Sequence, residues 1–131
     1  MFLDASSIIA IIALESDAVS VAARLSQADR VITSPIAVSE SMLGLARIGN
    51  MAITDAAAVV DRFIEEVGAA IVSINSPCGR DAIAAFKQYG KGCHPAALNL
   101  GGCFAYACGR KLGVPMLCKG SDFPLTDIAI T

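Results

Sequence analysis

Tryptophan is missing from this 131-residue chain, and two tyrosines and five phenylalanines are all that supply aromatic surface. Any core must therefore be built from Ala, Ile, Leu and Val, a composition that suits helices layered on a buried sheet. Charge is sparse as well: charged residues make up 17% of the chain, against 55% hydrophobic. The formal net charge of −2 offers no general attraction for nucleic acid, which normally shows as a basic excess or a clustered basic face. Long apolar runs are also lacking. The longest aliphatic run, IIAIIAL at residues 8–14, is bounded by Asp4 and Glu15 and falls far short of the ~20 residues that span a bilayer. The first residues, MFLDAS, carry an acid rather than the Lys or Arg of a secretion signal. The expected location is cytoplasmic.

Paired-cysteine motifs are absent too. The five cysteines (Cys78, Cys93, Cys103, Cys108, Cys118) form no CxxC, and His94 is the one histidine, which argues against structural zinc and for reduced, mostly buried thiols. Arg110, Lys111 and Lys119, with Lys87 and Lys91, could form a local basic patch in the second half, although surface solubilisation is the plainer account of them.

What the chain does have is alternation. Residues 1–4, 30–33, 69–74 and 114–118 read as short apolar strands, the third of them β-branched. Helical stretches lie between: from Ser6 or Ser7 as cap to about Glu15, 17–28, 36–48 after Pro35, 54–67 capped by Thr54, 76–89, and 100–112. Gly49-Asn50, Gly68 and Gly113 are stop signals. Residues 90–99 read as a loop, and a polar tail follows Cys118. One domain of 131 residues is long enough to bury about two-thirds of its unfolded surface. The predicted class is α/β, with a central parallel sheet covered on both faces and ligands received beyond the carboxyl ends of the strands.

That rim directs attention to acids. Asp4 ends the first strand, and Asp122 follows the last strand by a few residues, so the topology puts both on one edge. Glu40 lies in the helix after Pro35, in an apolar stretch, and Asp127 is five residues beyond Asp122. Taken alone, Asp4 reads more readily as a capping or turn aspartate and Glu40 as a surface glutamate. Gathered on one rim, carboxylates point to a hard divalent cation, since Mg²⁺ and Mn²⁺ prefer oxygen ligands. Adjacent Cys93 and His94 could form a thiol–imidazole pair, but neighbouring side chains diverge and no acid lies nearby to orient the ring.

The stretches FLDASSIIAII, TSPIAVSESMLGLAR, YGKGCHPAALNLG and PMLCKGSDFPLTDI together resemble the PIN-domain VapC toxins of bacterial toxin–antitoxin pairs. The resemblance covers nearly the whole chain, in order and at compatible spacing, although no single motif is specific. It implies a three-layer α/β/α PIN-domain fold over residues 1–131 and Mg²⁺- or Mn²⁺-dependent hydrolysis of RNA. Asp4, Glu40 and Asp122 match the family's catalytic metal ligands. A remaining acid belongs near the start of the helix after HPAALNLG, in a pattern like GDCFAYA. This chain reads GGCFAYA, so Gly102 occupies the position of the expected aspartate, and a weakened or inactive site follows. Ser121 stands where an acid is common in the late loop. The resemblance gives Ser6, Ser121 and Asp127 supporting roles, and Lys91, His94 and Lys119 contact with RNA phosphate.

The resemblance also implies a homodimer and a VapB-type antitoxin whose basic side chain enters the acidic site. The small-residue surfaces around Ala56, Ala57, Val60 and Phe63, and around Ile36, Met42 and Leu45, could supply the partner grooves, with core packing as the plainer reading. Gly102 keeps a rival open: a PIN-like module that binds antitoxin or RNA without cleaving it.

Overall fold

In the computed structural model all of residues 1–131 are described. The elements run β1 (Phe2–Leu3), α1 (Ala5–Ile12), α2 (Ala18–Leu25), β2 (Ile32–Thr33), α3 (Pro35–Gly49), α4 (Ile53–Glu66), β3 (Ala70–Ile71), α5 (Ser76–Tyr89), α6 (Leu100–Leu112) and β4 (Met116–Leu117). The four strands form one parallel sheet in the order β3-β2-β1-β4. Phe2 lies opposite both Ile32 and Met116, and Thr33 opposite Ile71. Helices flank both faces, as the alternation predicts.

Because successive strand side chains point to opposite faces, Phe2 and Met116 enter one core while Leu3 and Leu117 enter the other. The first core, beneath α5 and α6, adds Cys78, Ala82, Cys103 and Tyr106. The second, beneath α1 to α4, adds Ile8, Val21, Leu45 and Val60. Leu3, Ile8 and Val60 are fully buried, each contributing about 1.5–3 kcal/mol of transfer free energy. All five cysteines are free, and Cys93 alone among them is exposed.

Strands β1 and β2 are cut short because a helix begins almost at once. Asp4 caps α1 and Ser34 caps α3, each accepting a bond from a first-turn amide, so the chain leaves the ladder within a residue of its last pairing. The cap of α1 is therefore Asp4, not Ser6 or Ser7. Likewise Thr54 is not a cap: α4 already begins at Ile53, after Ala52, with no side-chain cap bond. Helix α1 ends at Ile12, short of Glu15, and Leu14 takes a left-handed φ of 53°. Gly113 closes α6 in the left-handed conformation that glycine tolerates. These turns bring the carboxyl ends of β1, β2 and β4 to one rim, with the first turns of α1 and α3 above it.

Candidate active site

An aspartate that caps a helix from inside a core is costly unless its oxygens are satisfied. Asp4, 6% exposed, meets that condition through Ser6: its Oδ2 accepts from the Ser6 amide at 3.0 Å and from Ser6 Oγ at 2.5 Å. Ser6 Oγ in turn accepts from the Lys119 amide at 3.0 Å, tying the segment after β4 to the end of β1. Burial pushes the Asp4 carboxyl above its ordinary range; the Ser6 hydrogen bonds pull it down, and the nearby Asp122 charge adds to the rise.

Glu40, in the second turn of α3, is half-buried, and burial together with the Asp4 charge raises its carboxyl as well. Its carboxylate rests against the backbone of Gly101, where any Cβ would collide with it. Gly101 thus lets Glu40 lie against the helix, and a Cβ there would push that flexible carboxylate aside. Gly102 is different. Its amide donates to the capping Asn99 Oδ1 at 2.7 Å, and an added Cβ would meet only Asn99 Oδ1 at 3.3 Å and Leu98 Cδ2 at 3.5 Å. A side chain fits there with a shift of a few tenths of an ångström.

Asp4, Glu40, Gly102 and Asp122 line one cavity of about 490 Å³, which Ser6, Arg47 and Lys119 also border. Asp122 is exposed and is held by the buried Phe123 that follows it. The donors are all carboxylate oxygens, which fit a hard divalent cation in kind. They fall short in closure: nowhere does a group of three or more His, Cys, Asp or Glu side chains converge to hold an ion. Gly102, on the same lining, offers no oxygen donor from a side chain.

The remaining expected site residues scatter. Lys119 borders the cavity, but its ammonium pairs with Glu15 and with Asp17 at 3.4 Å, so its charge is already engaged. Ser121 is exposed and lies off the cavity lining. Asp127 does not join the acidic rim: it accepts from Tyr106 Oη and faces Arg110 at 3.6 Å, and those partners hold its carboxyl below the usual range. Lys91 and His94 also stand outside the cavity. His94 Nδ1 accepts from the Ala96 amide at 3.1 Å, and the ring stands edge-on to Tyr89 with centroids 5.1 Å apart; it braces the loop. Cys93 points to solvent, so no thiol–imidazole pair forms. Of the surfaces considered for a partner, Leu45, Ala56 and Val60 are buried core, while Met42 and Phe63 are partly buried against it.

Arg47 was not anticipated. It follows Glu40 by seven residues, a spacing that returns to the same helix face after two turns, and that periodicity was the signal available in the sequence.

Comparison with known proteins adds an independent line. The model of the PIN domain family matches residues 1–129. A VapC ribonuclease of Rhizobium meliloti is 39% identical over 139 residues, covering 97% of this chain and 98% of that protein. Ribonuclease VapC36 of Mycobacterium tuberculosis is 36% identical over 130 residues, covering 98% and 91%. Among solved structures, VapC20 of Mycobacterium tuberculosis, described as a Sarcin-Ricin loop cleaving toxin, superposes with a TM-score of 0.79 across 99% of this chain and 97% of that one, at 17% identity. That last likeness concerns the fold.

Proposed function

Since this chain belongs to the PIN-domain family, among the VapC ribonuclease toxins, we propose that it is an endoribonuclease scaffold for metal-dependent hydrolysis of RNA phosphodiesters, weakened by glycine at position 102. The observation that carries the proposal is the shared cavity: Asp4, Glu40 and Asp122 face one space at the carboxyl rim of the sheet, and burial, with the Asp4 charge adding to it, raises the carboxyl of Glu40. Crowded, mutually repelling carboxylates are the arrangement that a divalent cation relieves.

In this reading Asp4, Glu40 and Asp122 hold Mg²⁺ or Mn²⁺, which when bound polarises the scissile phosphate and lowers the pKa of an attacking water. Ser6 keeps Asp4 in one orientation by its two hydrogen bonds. An aspartate at 102 would supply the missing oxygen donors. Loss of groups that merely orient ligands typically costs about 10–100-fold in metal affinity, and loss of a ligand at least that much. The single-domain organisation, the cytoplasmic location, the homodimer and the VapB-type antitoxin belong to the same proposal. The test is RNA cleavage across a Mn²⁺ titration, comparing this chain with Gly102→Asp. Equal rates would sink it.

A second reading has its own observation: no three metal-binding side chains converge. It holds that the chain is a non-catalytic module for antitoxin or RNA. A melting temperature that does not respond to millimolar Mn²⁺ would favour this module, because a working site must stabilise the fold by mass action.

A further inference from the structure

The cavity is acidic, yet its substrate in the reading above is a polyanion, and some group must offset that repulsion. Two cations border it. Lys119 is committed to Glu15 and Asp17. Arg47 forms no ion pair and no side-chain hydrogen bond anywhere in the chain: the ion pairs involve only Arg62, Arg110 and Lys119.

Its position is specific. Glu40, Leu43, Gly44 and Arg47 all line the cavity and follow one another at helical spacing along one face of α3. Seven residues at 1.5 Å rise put Arg47 about 10.5 Å beyond Glu40 along the helix. Between them Leu43 is 57% exposed, an apolar surface on the cavity wall. At position 44, a Cβ would press on Ile9, so glycine keeps the floor low. The stripe therefore runs acid, apolar, small, basic from the carboxylates outward.

Resting on the ribonuclease reading, we propose that Arg47 grips a backbone phosphate of single-stranded RNA next to the scissile one, with the intervening nucleotide lying along Leu43 and Gly44. A guanidinium matches a phosphate bidentately and costs little desolvation at an open rim. A contact to a flanking phosphate is made equally in the ground and transition states, so it belongs to binding rather than to the chemical step.

The experiment uses a short fluorescently labelled single-stranded RNA and measures anisotropy in EDTA over a range of salt. Arg47→Ala should weaken binding about tenfold and flatten the slope of log K against log salt by ~0.7, the value for one phosphate of a single strand. Arg47→Lys should keep most of the slope while losing part of the affinity, and Arg62→Ala, exposed on α4 and outside the cavity lining, should change neither quantity. In the Gly102→Asp background, Arg47→Ala should raise KM and leave kcat unchanged. Unaltered affinity and slope in Arg47→Ala, with the parent chain binding RNA, overturns the assignment of Arg47 and leaves the ribonuclease reading intact. A fall in kcat without a rise in KM also overturns it. Failure of both the parent chain and Gly102→Asp to bind or cleave RNA overturns the two together.

Discussion

Gly102→Asp is the perturbation whose sign depends on what surrounds it. The backbone favours the change: position 102 is in the first turn of α6, where its amide is capped by Asn99. Replacing glycine in a helix gains about 0.3–0.5 kcal/mol on going to aspartate. A negative charge near a helix N-terminus gains about 0.3–1 kcal/mol more. Against this stands a cavity in which Asp4 and Glu40 already repel. At an effective dielectric of ~20, a further carboxylate costs about 2–4 kcal/mol at separations of roughly 4–8 Å. Repulsion wins without metal, and the variant should be less stable than the parent by about 2 kcal/mol, a drop of roughly 6–10 °C in melting temperature for a chain of this size. With Mn²⁺ at ~100 times the dissociation constant of the variant, binding returns about 2.7 kcal/mol. The parent, binding ~10–100-fold less tightly, gains only about 0.4–1.4 kcal/mol at the same concentration. Thermal melts of both proteins in EDTA and in MnCl₂ read all four quantities. The reasoning is refuted if the variant melts at or above the parent in EDTA, or if Mn²⁺ raises both by the same amount.

Other substitutions probe the same architecture. Gly101→Ala should push the flexible Glu40 carboxylate aside while changing stability by less than about 1 kcal/mol, since alanine also favours the helix, and in the Gly102→Asp background it should abolish cleavage; denaturant melts and RNA cleavage gels measure the two effects. Asp4→Asn keeps a capping oxygen but removes a buried charge whose folded pKa lies above the unfolded value. In chelator, ionised Asp4 destabilises the native state at pH values above that folded pKa. The native carboxyl then takes up its proton as pH falls, before the unfolded one does, so the penalty disappears. Melting curves from pH 8 down to pH 4 should therefore show Asp4→Asn more stable than the parent at neutral pH and the difference vanishing in acid. Tyr106→Phe removes the hydrogen bond to Asp127 at a cost of about 0.5–1.5 kcal/mol, and RNA binding by anisotropy should not change, because that pair stands apart from the cavity.

The layered α/β arrangement was legible in the sequence because its signals are local: Pro35 opening α3, Gly113 closing α6, and short apolar stretches between helical ones. The rim of acids was legible for the same reason, since strand order and the position of an acid relative to its strand fix which edge it meets. What escaped the sequence depends on partners far away along the chain. Asp127 looks like a neighbour of Asp122, but its oxygen answers Tyr106 across 21 residues. Lys119 looks free until Glu15 and Asp17 fold beside it. The sequence offers Asp4, Ser6 and Ser7 as caps for α1, all of them good capping residues, and only the register of the strand selects the aspartate. Arg47 was visible as a spacing from Glu40, but its importance emerges only when every other cation near the cavity proves to be taken.

The contact of Glu40 with the backbone of Gly101 joins the two helical layers directly, beside the sheet that separates them. Helix α3 belongs to the layer over one face and α6 to the layer over the other, and at this point they touch directly at the open edge. The rim is thus a seam, and it is closed by a carboxylate lying on bare peptide. An opening fluctuation that parts the two layers there would separate Glu40 from Gly101 and from Asp122, whose neighbour Phe123 packs in the other core, and admit water between them. Local unfolding free energies are lowest where few buried contacts hold, and α3 meets α6 far less extensively than it meets α4. Anything that bridges the carboxylates therefore acts as a clasp across the two halves, and the rigidity of the sandwich at this edge is set by what occupies the space between them.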